Sequence, residues 1–151
     1  KDLEIALAGC VDVSLDPFEI ILFAKAGALA RDDMKVYDRR GDGFLPGEGC
    51  GFVVLKRLEN ARRDKDYIYA VLHGWGISSD GRGAGITAPN AKGQAMAIQR
   101  AYARAPFKID QLDFIVGHGT GTAIGDQVEL HGIARSIEDS SQSSPDIGRF
   151  C

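Results

Sequence analysis

One short stretch limits the possible folds of this chain more than any other: residues 117–122, which read GHGTGT. The mainly apolar residues 112–116 (LDFIV) precede it and predict a strand, and a segment with helical periodicity follows it. Glycines on both sides of His118 allow a ligand to approach the imidazole and the backbone closely. The sequence therefore predicts a strand that ends in a tight polar loop and continues into a helix.

The rest of the chain shows the same alternation of strands and helices. Strands are predicted at residues 5–8, 52–55, 67–72 and 112–116. Helices are predicted to begin at Asp16 with Pro17, at Asn90 and at Asp126, and to extend to Gly27, to about residue 105 and to about residue 137. The first strand is expected to end at Gly9. This alternation indicates an α/β fold with a largely layered sheet.

Composition and charge exclude several classes of function. With 44% hydrophobic and 26% charged residues over 151 positions, the chain is typical of a globular domain. The net charge is −3 and the basic residues are dispersed, so we expect no nucleic-acid partner. No apolar segment reaches the length of a membrane span, and we expect no membrane association. Three cysteines without metal-ligand spacing favour a reducing, cytoplasmic setting.

The GHGTGT stretch by itself leaves different interpretations open. An isolated histidine in a turn is more often a structural residue than a catalytic one. A glycine-rich loop can also bind phosphate, although the lysine of a P-loop and the G-x-G-x-x-G spacing are both absent here. A phosphate-binding domain would have measurable affinity for nucleotides, which offers a direct test of that alternative.

Four motifs in a fixed order remove most of this ambiguity. Residues 118–129 follow the pattern H-G-T-G-T-x-x-G-D-x-x-E, and residues 38–51 (DRRGDGFLPGEGCG) follow F-D-x-x-x-D-G-F-x-x-G-E-G-x-G from its second position. Residues 79–90 (SDGRGAGITAPN) contain D-G-R-x-x-G-x-T-A-P-N, and residues 8–13 (AGCVDV) resemble A-G-G-V-x-x with Cys10 at a usual glycine. Over residues 1 to about 137, the chain resembles the β-ketoacyl synthases of polyketide and fatty-acid assembly.

The resemblance implies a domain organisation. It predicts a thiolase-like α/β fold, of which residues 1–137 would form the end of the first half and the start of the second. We place a subdomain boundary near residue 66 and expect residues 138–151 to be a polar, mobile tail. The implied reaction is a decarboxylative Claisen condensation, in which an acyl group on a cysteine is attacked by the enolate of a malonyl thioester.

The resemblance also assigns roles to four residues, and local spacing suggests a role for a fifth. His118 would donate its ring N–H to the enolate oxygen, and Thr120 and Thr122 would hydrogen-bond the phosphopantetheine arm of the substrate. Glu129 matches a glutamate that helps to hold an active-site lysine. Asp126 and Glu129 also form an Asp-x-x-Glu pair, from which we predict that Asp126 caps the following helix. Residues 78–89 match a mobile loop near the active-site entrance.

Two catalytic elements of the family have no match in this chain. The nucleophilic cysteine lies in a T-A-C-S-S-type motif before the matched segment, and the second histidine lies in a K-S-x-x-G-H motif after it. None of the cysteines is expected to replace the nucleophile: Cys10 ends a strand, Cys50 occupies a position that is commonly small and buried, and Cys151 is terminal. His73 and His131 are expected to be packing or surface residues.

These absences lead to expectations about activity and partners. We expect the chain alone to be inactive, although its parent domain would be an acyltransferase. That domain would use acyl carrier protein as a partner, form a homodimer and need no metal or organic cofactor, because phosphopantetheine arrives on the carrier protein. The alternative is a degenerate, non-catalytic ketosynthase remnant that serves as a binding or dimerisation module.

Overall fold

The computed structural model describes residues 3–13, 15–82, 85 and 87–141. The chain forms two compact units. The first, which we call the strand unit, comprises Lys1–Leu29 and Leu45–Leu72; the second, which we call the helix unit, comprises Ala30–Phe44 and His73–Cys151. The subdomain boundary near residue 66 stays a prediction.

The strand unit contains a two-stranded antiparallel sheet. Strand β1 (Ile5–Asp12) pairs with strand β2 (Gly49–Lys56) along the whole length of both. The prediction that the first strand ends at Gly9 is wrong, because Gly9 pairs with Phe52 and the strand continues. A Cβ atom at Gly9 would overlap the Phe52 ring, so the aromatic side chain occupies the space beside the glycine. Cross-strand packing of this kind stabilises a glycine within a sheet.

Helix α1 (Pro17–Lys25) confirms the predicted helix start. The Asp16 carboxylate accepts hydrogen bonds from the N–H groups of Phe18 and Glu19 at 2.7 and 3.1 Å. These bonds satisfy two of the backbone donors that a helix start leaves without partners. The chain leaves the helix at Gly27, whose φ of +67° is a backbone conformation that favours glycine. Helix α2 (Leu58–Asp64) follows β2 directly.

The helix unit contains the larger hydrophobic core. Helix α3 (Ala91–Tyr102), a short 3-10 helix (Ile109–Gln111) and helix α4 (Ala123–Ser141) pack together. The core consists of Ile109, Ile133 and Ile137, with Ile98, Tyr102, Leu112 and Ile115 packed against it. The structure confirms the predicted helix start at Asn90, whose side chain caps α3 by accepting the N–H groups of Lys92 and Gly93.

Helix α4 begins earlier and ends later than the sequence predicts. It starts at Ala123, three positions before Asp126, so the prediction that Asp126 caps this helix is wrong. The Thr122 hydroxyl takes that place by accepting the Gly125 N–H at 3.1 Å. Residues 138–141, predicted to belong to a mobile tail, form the last turn of α4, and residues 142–151 lie outside the described residues.

Two of the predicted strands, at residues 67–72 and 112–116, do not form. A strand requires a neighbour that accepts and donates its ladder hydrogen bonds, and the only strand pair among the described residues is β1 with β2. Several apolar side chains in these stretches are exposed, as at Tyr69 (91%) and Val116 (84%), whereas Leu112 and Ile115 pack against the core. None of the helices in the described part of the chain combines the length and the apolar character needed to cross a membrane.

Candidate active site

The GHGTGT stretch forms a loop whose backbone is held by two carboxylates of α4. We call residues 117–122 the histidine loop. The Glu129 carboxylate accepts the N–H groups of His118 and Gly119 at 2.5 and 2.9 Å. The Asp126 carboxylate accepts the Gly121 N–H at 2.9 Å. Since Asp126 and Glu129 are three positions apart on a helix, both side chains lie on the face that meets the loop.

A second loop, residues 37–44, binds to the same two carboxylates, and we call it the tyrosine loop. The Tyr37 N–H donates to Asp126 at 2.6 Å, and the Tyr37 hydroxyl donates to Glu129 at 2.9 Å. Tyr37 has a φ of +54°, which is uncommon for a residue with a side chain. Each carboxylate therefore bridges the two loops, and together they set the position of one loop against the other.

Glycines allow the backbones of these loops to pack directly on each other. The Gly43 N–H donates to the Gly121 carbonyl oxygen at 3.1 Å. A Cβ atom at Gly41 would lie 2.6 Å from that same oxygen, and one at Gly121 would lie 2.8 Å from the Gly43 oxygen. Gly121 also has a φ of +69°. Side chains at these positions would force the loops apart, so the glycines are required by the close approach.

The two threonines of the histidine loop form a compact hydroxyl pair. The Thr120 and Thr122 hydroxyl oxygens are 2.9 Å apart, and the Thr120 hydroxyl donates to Asp126 at 3.4 Å. A Cβ atom at Gly125 would lie 2.4 Å from the Thr122 hydroxyl oxygen and 2.7 Å from that of Thr120. Gly125 thus provides the space in which the hydroxyls meet at the start of α4.

The bridging carboxylate changes the ionisation of its neighbours. Partial burial raises the pKa of Glu129, but the N–H groups of Gly119 and His118 and the Tyr37 hydroxyl stabilise the anion more strongly, and the net effect lowers the pKa. Burial of its hydroxyl and the adjacent Glu129 carboxylate raise the pKa of Tyr37 to about 12. At neutral pH, Glu129 is therefore an anion that accepts hydrogen bonds, and Tyr37 is a neutral donor.

His118 differs from the other two histidines in its surroundings. His118 is exposed, and among the described residues no group forms a hydrogen bond with its imidazole ring. Its backbone N–H donates to the Glu129 carboxylate. His73 packs against the edge of Phe107, with ring centroids 5.4 Å apart, and His131 is exposed within α4. These positions confirm that His73 and His131 are packing and surface residues.

The cysteines of the strand unit lie in its sheet. Cys10 and Cys50 are both exposed, so the expectation that Cys50 occupies a buried position is wrong, as is the expectation that Cys10 ends a strand. Cys10 pairs with Gly51 and Cys50 pairs with Val11, which places the two sulfur atoms on opposite faces of the sheet. Cys151 lies outside the described residues.

The predicted site residues come together in the helix unit. His118, Thr120, Thr122, Asp126 and Glu129 all belong to the histidine loop or to the first two turns of α4. The chemical roles of His118, Thr120, Thr122 and Glu129 stay predictions. Residues 83, 84 and 86 of the predicted entrance loop lie outside the described residues. Within the described ranges, no group of three or more His, Cys, Asp or Glu side chains is arranged to hold a metal ion.

Tyr37 belongs to this site but was not predicted from the sequence to do so. The family pattern for the tyrosine loop begins with Phe at the position of Tyr37, and the substitution adds a hydroxyl to the aromatic ring of that pattern. A tyrosine at a position where the pattern has phenylalanine was the sequence signal that could have identified this residue. The positive φ and the proximity to α4, which give the hydroxyl its partner, become visible only in the structure.

Comparisons with known proteins show which family this chain resembles. The family model described as beta-ketoacyl synthase, N-terminal domain, matches residues 1–61, and the model for the C-terminal domain matches residues 69–148. The polyketide synthase PksL of Bacillus subtilis is 37% identical over 152 aligned positions, which cover 100% of this chain and 3% of that protein. The 6-methylsalicylic acid synthase of Aspergillus niger is 37% identical over 145 residues, 95% of this chain and 8% of the relative. The chain thus spans less than a tenth of the length of these relatives.

Solved structures extend the similarity to the fold. The ketosynthase from module 6 of the bacillaene synthase of Bacillus subtilis superposes with a TM-score of 0.89 at 36% identity, covering 94% of this chain and 26% of that one. The ishigamide ketosynthase/chain length factor superposes with a TM-score of 0.82, also at 36% identity, covering 90% of this chain and 33% of that one. The chain therefore has a partial α/β ketosynthase fold, and it belongs to the β-ketoacyl synthase family.

Proposed function

We propose that the protein carrying this chain is a β-ketoacyl synthase that forms carbon–carbon bonds by decarboxylative Claisen condensation. The observation that carries this proposal is the histidine loop. Its backbone is held by Glu129 while the His118 ring remains exposed and has no hydrogen-bonding partner among the described residues. The ring nitrogen is thus available to a ligand, and the loop that carries it is fixed before the ligand binds.

The chemistry requires a donor at the position where negative charge develops. Loss of carbon dioxide from a malonyl thioester leaves the electron pair of the broken bond on the α-carbon, delocalised onto the thioester oxygen as an enolate. The α-carbon then attacks an acyl group held on a cysteine, and the cysteine leaves as a thiolate. In this proposal, the His118 ring N–H donates to the enolate oxygen. A donor that is already fixed in place needs little reorganisation during the reaction.

The threonine pair would bind the substrate arm mainly through its oxygen atoms. When Thr120 donates to Asp126 and Thr122 donates to Thr120, both hydroxyl hydrogens are engaged within the protein. The remaining lone pairs can accept amide N–H groups, two of which occur in a phosphopantetheine arm. We therefore infer that acyl carrier protein delivers the malonyl unit and that the domain uses no resident cofactor. Homodimer formation and a cytoplasmic setting stay predictions.

The chain by itself lacks two motifs that the reaction needs. Its 151 residues contain no T-A-C-S-S motif and no K-S-x-x-G-H motif. We propose that this chain alone accepts no acyl group and performs no condensation. Incubation with an acyl thioester followed by intact mass spectrometry serves as the baseline, and stable acylation of Cys10 or Cys50 would contradict the assignment.

The role of His118 can be tested by separating the two half-reactions in the natural protein. We expect His118→Ala to spare acyl transfer to the nucleophilic cysteine and to slow malonyl decarboxylation by roughly 10²–10³-fold, because one preorganised donor is lost. His118→Gln, which retains an N–H donor, should keep more decarboxylation activity than the alanine variant. Thioester consumption and carbon dioxide release measure the two steps.

His131→Ala is the matched control, since His131 is exposed within α4 and outside the histidine loop. If the His118 variants lose acylation and keep decarboxylation, His118 assists the nucleophile instead of the enolate. If the wild-type protein performs neither step, the domain is a non-catalytic module and the proposal is wrong.

A further inference from the structure

The contacts of Tyr37 extend beyond those of an ordinary loop residue. Its backbone N–H and its hydroxyl bind two different carboxylates of α4, Asp126 at 2.6 Å and Glu129 at 2.9 Å. These are the carboxylates that hold the backbone N–H groups of the histidine loop. Tyr37 therefore contacts both anchors of that loop at once.

The space around the Tyr37 ring is filled by the histidine loop itself. A Cβ atom at Gly117 would overlap the Tyr37 hydroxyl, and one at Gly119 would lie 3.5 Å from it. The hydroxyl thus lies against the backbone on both sides of His118 and donates to the carboxylate that binds the His118 N–H. A phenylalanine at this position would fill the same space without this hydrogen bond, leaving Glu129 with one donor fewer.

We propose that Tyr37 is a positioning residue for His118, acting through Glu129. Its hydroxyl fixes the Glu129 carboxylate in the orientation that accepts the N–H groups of His118 and Gly119, and the loop then presents the imidazole to the substrate. The catalytic part of this inference rests on the function proposed above. The structural part, the order of the histidine loop, does not.

Ionisation supports this geometry. The Tyr37 hydroxyl is among the groups that lower the pKa of Glu129, after the N–H groups of Gly119 and His118. Among the residues that the structure describes, the charged and titratable groups around this carboxylate are Asp126 on its own helix and His118 and Tyr37 on the two loops. Removal of the hydroxyl should therefore let the pKa of Glu129 rise, so that the carboxylate is protonated at a higher pH.

The test is Tyr37→Phe in the natural protein. We expect malonyl decarboxylation to slow roughly tenfold, as for loss of a hydrogen bond to a charged group, with KM for the malonyl thioester changed less than about twofold. The acid limb of the pH profile should move to higher pH. With Glu129→Gln already present, adding Tyr37→Phe should change the rate little, because the tyrosine acts through that carboxylate.

Tyr102→Phe is the matched control, because burial alone raises the pKa of Tyr102 and it belongs to the same unit. It should leave unchanged the decarboxylation rate, the acid limb of the pH profile and the amide exchange of the histidine loop. Ultraviolet titration of the wild-type protein should show a tyrosine with a pKa of about 12 that is missing from Tyr37→Phe. This readout is independent of catalysis, and a raised pKa of Tyr102 that persists in Tyr37→Phe shows that the variant is folded.

The outcomes separate this inference from the proposed function. An unchanged acid limb and an unchanged rate in Tyr37→Phe, or additive losses in the double variant, would overturn the positioning role. A wild-type protein without decarboxylation would instead refute the proposed function. In that case faster amide exchange at His118 and Gly119 in Tyr37→Phe would still support the structural part, and unchanged exchange would refute it.

Discussion

The strand unit and the helix unit keep their backbones in place by different means. In the strand unit, the ladder between β1 and β2 joins the backbones, while apolar side chains remain exposed, including Leu7 and Val54 at 69% each. In the helix unit, the loops have no strand partner among the described residues, and the carboxylates of Asp126 and Glu129 accept their N–H groups instead.

This difference determines where single side chains matter. A two-stranded pair gains little from any one side chain, and it is marginally stable in water unless another surface covers it. A loop held by two carboxylates depends on those carboxylates and on the glycines that allow the backbones to meet. We therefore expect point substitutions to have large effects in the histidine and tyrosine loops and small effects in β1 and β2, except at Gly9, where a Cβ atom would overlap the Phe52 ring.

The largest expected difference is in the free energy of unfolding, when a glycine is replaced by alanine in each unit. Gly121→Ala should destabilise the helix unit by about 1–3 kcal/mol, because Gly121 has a φ of +69° and a Cβ atom would approach the Gly43 oxygen. Gly51→Ala should be neutral or stabilise the strand unit by up to about 1 kcal/mol, because a Cβ atom there meets nothing within 4 Å.

Urea unfolding followed by fluorescence of Trp75, the single tryptophan, reports the helix unit, and amide exchange along β1 and β2 reports the strand unit. If Gly121→Ala and Gly51→Ala lose equal amounts of stability, the two units do not differ in their sensitivity to single side chains.

A smaller effect is expected from acid. The pKa of Glu129 in the folded protein lies below its ordinary value of 4.5, so its contribution to loop stability is complete above about pH 4.5 and is lost as the pH falls through the lowered pKa. In the strand unit, hydrogen bonds from Arg63 and Lys56 hold the pKa of Asp64 well below its usual range, so those ion pairs should persist to lower pH.

Amide resonances of His118 and Gly119, followed from about pH 6 to about pH 3, measure this response, with Glu129→Gln as the variant that lacks the titrating group. If the strand unit loses its order at a higher pH than the histidine loop does, the expected order of the two transitions is wrong.

Much of this site could be predicted from the sequence because its motif is contiguous. The histidine loop and the first turns of α4 occupy adjacent positions, so residues 118–129 identified His118, Thr120, Thr122 and Glu129 as one group. The helix starts at Asp16 and Asn90 were also predictable, since a capping side chain and the N–H groups that it accepts are two or three residues apart.

The remaining features depend on contacts between distant residues. Asp126 was predicted to cap α4 because its spacing to Glu129 matches a local capping pair, but its actual partners include Tyr37, 89 positions away. The strand at residues 67–72 was predicted from β-propensity, which describes how side chains suit a sheet and does not supply the partner strand. Gly9 was predicted to end β1. The prediction failed because the Phe52 ring that covers Gly9 belongs to β2, which is distant in the sequence.

The central claim is that two carboxylates of α4 hold the loop that carries His118, and amide hydrogen exchange resolved to single residues tests it most directly. In the wild-type protein, the N–H groups of His118, Gly119, Gly121 and Tyr37 should be protected. Glu129→Ala should expose His118 and Gly119 while Gly121 and Tyr37 stay protected, and Asp126→Ala should do the reverse. Fast exchange of all four amides in the wild-type protein, or the same change in both variants, would contradict the account.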